Sequence, residues 1–563
     1  MVVQEDSPRA AVFGRDIFFE YLVELGVPYI FGNPGTTEIP LIDGCNEHPS
    51  VEYVLSLHED VAVAQAMGYA RASGKIGVVN LHVTPGVAHG LGNLYNAYRA
   101  RIPLLITAGQ HHAGLNLHEP ILTADLAALV RPFTKWSYEV TRLEELPIAL
   151  QRAFKELTTP PYAPVFLSIA TNLLLEKYPS PPPARVSKIA AQATNAGSVE
   201  YAAQLLAEAA NPMILAGDGV ALADGWPELV AIAEDLGAVV FTEGYATAWN
   251  FPSDHPQFAG PMPNLAGEMR NRFNDVDVVL MCGVTCQAPV SRYDEGGPLI
   301  PWRVKAISLD DDPWEVGKNQ PVDVGLVGDV KTNLTALAAA VQKTAKDDAA
   351  IAARAETVRT LCRQRIDDWD KKVKTARESE QLSATLVAAQ LRELMPSDVV
   401  FADESISNRA SFVNVLDFPD PLSYFNVNGL SLGYSAGAAV GIQLARPERR
   451  VVNVVGDGSL MYYPQALWNA ATAGARVLFV VLNNSSYNVL KVITQRMGGP
   501  WSGDHQTVPG LDIDGARIDF VQLAQSLGMP AVRPANSAEL HDALERGLAA
   551  DGPYLVEVTL PRT

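Results

Sequence analysis

Hydrophobic positions along this chain fall into two recurring patterns. Short, almost uninterrupted apolar runs bounded by Gly, Asn, Asp or Pro predict buried strands: Pro28–Phe31, Val78–Leu81, Leu104–Ala108, Met213–Ala216, Val399–Phe401, Val451–Val455, Val477–Leu482 and Tyr554–Val558. Between them lie stretches with helical spacing: Phe18, Leu22 and Leu25 within residues 10–26, the alanine-rich segment ending at Ala72, and Leu467, Trp468 and Ala471. Strands alternating with helices predict parallel sheets of α/β type. The pattern breaks at Glu176–Pro183, whose prolines exclude a helix or a central strand. It breaks again at residues 343–382, a charged helix of mixed sign that reads as a solvated linker. Three domains are expected, at 1–180, 190–345 and 375–563.

The stretch Val451–Ser486 carries the most chemistry. Its first strand ends in Gly456-Asp457-Gly458, a helix follows, and a second strand delivers Asn483-Asn484. Such a βαβ unit places both groups at the carboxyl edge of a sheet, where open α/β folds bind ligands. Asp457 is a hard oxygen ligand, and Asn484 offers an amide oxygen. The pair suits Mg²⁺, which shares its remaining positions with water and phosphate oxygens. Gly456 and Gly458 let backbone N–H groups approach a diphosphate. A plain turn is the competing reading, since Gly-Asp-Gly is common; the Asn at the next strand exit argues against it. A second Gly-Asp-Gly, at 217–219, has Asn250 as its nearest downstream Asn, away from any strand exit, and reads as a structural turn.

Composition removes several function classes. A net charge of −20 argues against nucleic acid or an anionic membrane as partner. No apolar run approaches a membrane span. The first residues lack the basic and apolar regions of a signal peptide. No tail beyond the last strand is expected to form a lid. Cys45, Cys282, Cys286 and Cys362 are scattered; Cys282 and Cys286 could be read as a metal half-site, but with no second pair nearby they read as core residues, and the compartment as reducing and cytoplasmic.

Gly-Asp-Gly-Ser followed by Asn-Asn at this spacing resembles the diphosphate–Mg²⁺ motif of thiamine-diphosphate enzymes. Almost the whole chain is similar to the benzoylformate decarboxylase branch of that family. The resemblance implies three doubly wound parallel-sheet domains: pyrimidine-binding, middle and diphosphate-binding. It implies thiamine diphosphate and Mg²⁺ as cofactors, with Asp457, Asn484 and the Ser486 carbonyl on the metal. Further cofactor contacts are implied at Glu404, Ser405, Ile406, Gly456, Gly458, Ser459 and Tyr487, with Leu432 holding the cofactor bent.

From sequence alone Glu59, where a strand becomes a helix, reads as a dipole partner. By resemblance it is the glutamate that hydrogen-bonds the aminopyrimidine and drives loss of the thiazolium C2 proton. A lone histidine is more often structural, yet His82 matches one that moves protons on substrate-derived intermediates, a task that suits imidazole. Asn33, Pro34, Gly35 and Thr36 form a tight loop; by resemblance it touches the substrate carboxylate, with Thr36 in place of the family's serine. Ile121, Leu122, Leu490 and Ile493 are implied as pocket walls. Asp294 stands where the branch has a second active-site histidine. Either it turns away, paired with Arg292, and a 2-oxo acid decarboxylase with one catalytic histidine remains, or it faces the pocket and with His111 and His112 favours a neutral carbonyl or a polar, hydroxylated substrate over an aryl 2-oxo acid; the second reading is preferred.

The implied reaction is decarboxylation of a 2-oxo acid to an aldehyde, with carboligation to a second aldehyde as an option. A carboligase or a 2-hydroxyacyl-CoA lyase on the same cofactor, or a non-catalytic paralogue, are the alternatives. Family members pair Glu59 and Asp457 across a subunit interface, which implies a homodimer at least, and a homotetramer by usual practice.

Overall fold

The computed structural model of the chain describes residues 10–179, 182–187, 189–285, 297–344, 348–497, 508–513 and 515–562. The chain divides into two compact units. One comprises Met1–Ile189 with Gly429–Glu448 and Met461–Val477; the other comprises Ala190–Asn428, Arg449–Leu460 and Leu478–Thr563.

The first unit opens with β1 (Val12–Phe13) and continues through β2 (Tyr29–Gly32), β3 (Glu52–Leu55), β4 (Gly77–Leu81), β5 (Leu104–Gln110), β6 (Trp136–Val140), β7 (Val165–Ala170) and β8 (Lys177–Tyr178). β2 to β7 form a parallel sheet ordered β3-β2-β4-β5-β7-β6. β4, β5 and β7 are buried along their whole length, as strands covered on both faces must be, whereas edge strand β3 is half exposed. Phe18, Phe19, Ile30, Val78, Leu105 and Phe154 fill one side of this core.

Helix Glu59–Ser73 lies across this sheet. His58 caps its start by accepting from the Asp60 N–H, and Gly74, at φ 68°, ends it. It packs against helix Ser435–Ala445 through small residues. A Cβ at Gly68 would strike the Ala438 carbonyl, and one at Gly441 would strike the Gln65 carbonyl. The two backbones therefore touch, which fixes the register of the helix that starts at Glu59.

The second unit carries two more sheets. β9 (Pro212–Ala216), β10 (Val239–Thr242), β11 (Phe258–Pro261), β12 (Val278–Cys282), β13 (Lys305–Asp310) and β14 (Val324–Val327) order as β11-β10-β9-β12-β13-β14. β15 (Val400–Glu404), β16 (Tyr424–Phe425), β17 (Val451–Gly456), β18 (Val477–Asn483), β19 (Ala531–Val532) and β20 (Tyr554–Thr559) order as β16-β15-β17-β18-β20-β19. All three sheets have a switch point inside the sheet, between β2 and β4, β9 and β12, and β15 and β17. Such a switch point splays the connections apart and leaves a crevice at the carboxyl edge.

One local expectation needs correction. Residues 10–26 are not one helix: β1 precedes a helix confined to Gly14–Glu24. Lys177–Tyr178 is a strand, held as an antiparallel ribbon against β1; two residues at an edge escape the proline restriction. His111 and His112 follow β5. Among the described residues no helix is long and apolar enough to cross a membrane.

Candidate active site

The switch point of the first sheet gathers four connections at one edge. The loop Asn33–Glu38 leaves β2, Ser56–His58 leaves β3, His82 ends β4 and His111 follows β5. Asn33 donates through Nδ2 to the Ser56 carbonyl at 2.8 Å, tying the first two connections together. Gly35 lies flat on the His82 ring, where a Cβ would overlap the imidazole. Val83, the next residue, has φ 30°, a costly conformation for a β-branched side chain.

His82 is held from below by a carboxylate that sequence reasoning passed over. Glu38 is buried, with Oε2 2.7 Å from His82 Nδ1. Its Oε1 accepts from the Thr37 hydroxyl at 2.7 Å and from the Gly109 N–H at 2.8 Å. Glu38 directly follows the Asn-Pro-Gly-Thr-Thr loop and caps the helix Ile39–Glu47, so by pattern it reads only as a helix-start carboxylate.

Glu59, first residue of its helix, has a largely buried side chain with Oε2 3.2 Å from His89 Nδ1. Gly86 leaves room beside it; a Cβ there would sit 3.3 Å from Glu59 Oε1. Its neighbour Asp60 is fully buried. Asp60 accepts from the Asn93 N–H at 2.8 Å and lies beside the Tyr463 phenol. Burial pushes the Asp60 carboxyl up to about 6, against the Asn93 and Tyr463 hydrogen bonds. Burial likewise pushes the Tyr463 phenol up. The loop before helix Ser435–Ala445 carries Leu432, half-buried, next to Ser431, which exchanges hydrogen bonds with the Asn96 side chain.

Ile121 and Leu122 are gripped by their backbones. His111 donates from Nε2 to the Ile121 carbonyl at 2.6 Å, and the Thr84 hydroxyl donates to the Leu122 carbonyl at 2.6 Å. The Ile121 side chain is 82% exposed. Thr36 is exposed and lines a cavity of about 430 Å³ with Thr37, His111, His112, Thr171 and Glu176. His112 turns back to accept from the Gly114 N–H.

In the second unit, Asp457 starts the turn after β17 and is buried. It accepts from the Gly458 N–H at 2.8 Å and the Ser485 N–H at 2.6 Å. Burial raises its carboxyl above the ordinary range despite these hydrogen bonds. Asn484 and Ser486 follow β18, with Asn484 Oδ1 accepting from the Ser486 N–H at 3.1 Å. Ser485 between them sits at φ 51°. Gly458 packs under Tyr487, whose ring is 2.6 Å from the place of a Cβ. Gly456 has room for a Cβ, which would make only ordinary contact with Ser459 Oγ at 3.8 Å and the Glu404 carbonyl at 3.9 Å.

Across the switch point, β15 ends in buried Asp403, Glu404 and Ser405, with Ile406 half-buried. Asp403 Oδ1 accepts from both the N–H and the hydroxyl of Ser405, and Oδ2 accepts from Tyr424. Leu490 is exposed and Ile493 half-buried on helix Asn488–Met497, whose Val489 N–H donates to Ser407. Asp294 lies outside the described residues, as does Cys286.

A buried acid under-neutralised by its neighbours, an amide oxygen at the next strand exit and an open glycine form a fitting set for a divalent cation and a diphosphate. Comparison with known proteins gives the family. Residues 13–128 match the family description thiamine pyrophosphate enzyme, N-terminal TPP binding domain; 199–337 match its central domain and 407–558 its C-terminal TPP binding domain. Benzoylformate decarboxylase of Pseudomonas aeruginosa is 32% identical over 96% of this chain and 97% of its own. The acetolactate synthase large subunit of Haemophilus influenzae is 27% identical over 95% and 92%. The thiamine diphosphate-dependent 4-hydroxybenzoylformate decarboxylase of Rhodococcus jostii RHA1 superposes with a TM-score of 0.85 at 28% identity, covering 98% of this chain and 100% of its own. The chain belongs to the thiamine pyrophosphate enzymes. It is accordingly a thiamine-diphosphate-dependent enzyme of the decarboxylase and carboligase class.

Proposed function

We propose that this enzyme decarboxylates a 2-oxo acid to the corresponding aldehyde, with thiamine diphosphate held through Mg²⁺. The observation that carries the reading is Asp457: a carboxylate buried at a strand exit beside Asn484, and in want of positive charge. Asp457, Asn484 and the Ser486 carbonyl would hold the cation. Turn N–H groups from Gly456 to Ser459, with Glu404, Ser405, Ile406 and Tyr487, would line the diphosphate. When bound, the cofactor supplies the electron sink for the carbanion chemistry.

The chain's own residues do the rest. Glu59 would bond the aminopyrimidine and relay its proton, with Leu432 supporting the cofactor's bend. His82 gives and takes protons at the reacting carbon, and Thr36 in the Asn33–Pro34–Gly35 loop orients the substrate carboxylate. Ile121, Leu122, Leu490 and Ile493 would wall the pocket, while His111, His112 and Asp294 would make it polar. We assign pyrimidine binding to 1–180, diphosphate binding to 375–563 and the middle domain to 190–345. The active form is a homodimer at least, a homotetramer by analogy, and cytoplasmic.

The relatives named for benzoylformate and 4-hydroxybenzoylformate support decarboxylation. Similarity to acetolactate synthase supports a second reading, carboligation of the same acyl unit to a second carbonyl. A panel of 2-oxo acids and aldehydes, with and without thiamine diphosphate and Mg²⁺, separates them. We expect CO₂ release that needs both additions and yields free aldehyde. Release of only a 2-hydroxy ketone would favour carboligation, and no turnover of any member would overturn both.

A further inference from the structure

We propose that Glu38 is the positioning residue for His82: it fixes the imidazole with its proton on Nδ1 and leaves Nε2 as the nitrogen that exchanges protons with substrate. This deepens the role assigned to His82 above and rests on it. Four contacts carry the inference. Glu38 is buried, with no solvent to share its charge. Its Oε2 lies 2.7 Å from His82 Nδ1. An ionised carboxylate only accepts hydrogen bonds, so Nδ1 carries the hydrogen. Thr37 reinforces this. Its hydroxyl donates to Glu38 Oε1, leaving its oxygen lone pairs towards His82 Nδ1 at 3.3 Å. Gly35 packs so closely on the ring that even a Cβ there would overlap it.

The fourth contact makes the geometry decisive. Glu38 Oε1 accepts from the Gly109 backbone N–H at 2.8 Å, and a backbone N–H can only donate. In Glu38→Gln the amide oxygen must therefore stay at that position. The amide NH₂ is then forced towards His82 Nδ1. Nδ1 must accept, and the imidazole proton moves to Nε2. A one-atom change thus inverts the tautomer without removing the histidine, the packing or the hydrogen-bond count.

The test has two readouts. In apoprotein with ¹⁵N-labelled histidine, the His82 signals, assigned by their loss in His82→Ala, should show a protonated Nδ1 and a bare Nε2. In Glu38→Gln the two should exchange character. Turnover of the holoenzyme by Glu38→Gln should then fall about 10²–10⁴-fold, the usual size of a lost acid–base contribution, with C2–H/D exchange of the bound cofactor unchanged. Glu38→Asp should recover part of that loss. A bare Nδ1 in wild type overturns the assignment, and this needs no variant to fold. So does an inverted tautomer with turnover within about 2-fold of wild type while His82→Ala is slow. Normal turnover by His82→Ala would instead overturn the role of His82 itself.

Discussion

Gly217-Asp218-Gly219 and Gly456-Asp457-Gly458 share one sequence, follow the same kind of buried strand and flank the switch point of their sheets. Their aspartates live differently. Asp218 accepts from the Thr247 N–H and hydroxyl, the Ala248 N–H and the Asn250 amide. Its glycines are pressed against Gly283: a Cβ at Gly217 would strike the Gly283 carbonyl, and one at Gly219 would come within 2.6 Å of Gly283 Cα. The crevice of the middle sheet is thus closed by the chain itself. Asp457 takes N–H groups from Gly458 and Ser485, stays raised by burial, and has the open face of Gly456 beside it. A motif binds when its fold leaves work for it; the same residues become structure when donors of the chain arrive first.

Breaking each aspartate should separate the two most widely. Asp457→Ala is expected to weaken Mg²⁺-dependent thiamine diphosphate binding by more than the roughly 10–100-fold typical of outer-sphere partners of a metal. Asp218→Ala should leave that affinity unchanged, read by titration calorimetry, while lowering stability by about 1–3 kcal/mol for each buried donor left unpaired. Cofactor loss on removing Asp218, or full retention on removing Asp457, would collapse the comparison.

The glycines give a smaller, sharper contrast. Gly217→Ala should cost about 1–3 kcal/mol in denaturant unfolding, because its Cβ meets backbone that cannot yield. Gly456→Ala has space and should stay within about 0.5 kcal/mol of wild type, yet bind cofactor more weakly, since the methyl enters the open face. Equal stability losses at both positions would show that the second crevice is closed too.

The smallest effect is a slope with pH. Asp457 has a raised carboxyl in the folded apoprotein, so the folded state binds its proton more tightly than the unfolded chain does. Its contribution is fully present below the ordinary carboxylate range and is lost as pH rises through the raised value. Asp457→Asn should therefore gain on wild-type apoprotein as pH rises across that window, and added Mg²⁺ should narrow the gap. Parallel stability–pH curves for the two proteins would mean that Asp457 is not under-neutralised.

Much of this was legible in the residues. Val451–Val455 and Val477–Leu482 are buried β-branched and aliphatic runs with no other plausible fate, and the Asn after the second run set the Gly-Asp-Gly at 456–458 apart from that at 217–219. Glu38 and His82 were not legible as a pair. They meet only because β2 and β4 are neighbours while β3, between them in sequence, lies at the edge. Strand order is a three-dimensional choice that periodicity does not encode.

The grip on Ile121 and Leu122 has a consequence for how this enzyme can change. His111 and Thr84 hold this stretch, the proposed pocket wall, by its carbonyl oxygens, which every amino acid supplies. The scaffold is thus indifferent to what the two side chains are, and selection can rewrite them without moving the loop. Leu122, at φ 73°, sets the one restriction: asparagine and glycine should be accepted there more readily than valine or isoleucine. A two-position library at 121 and 122 should return mostly folded variants, and its diversity should be read out as altered substrate range rather than as lost protein.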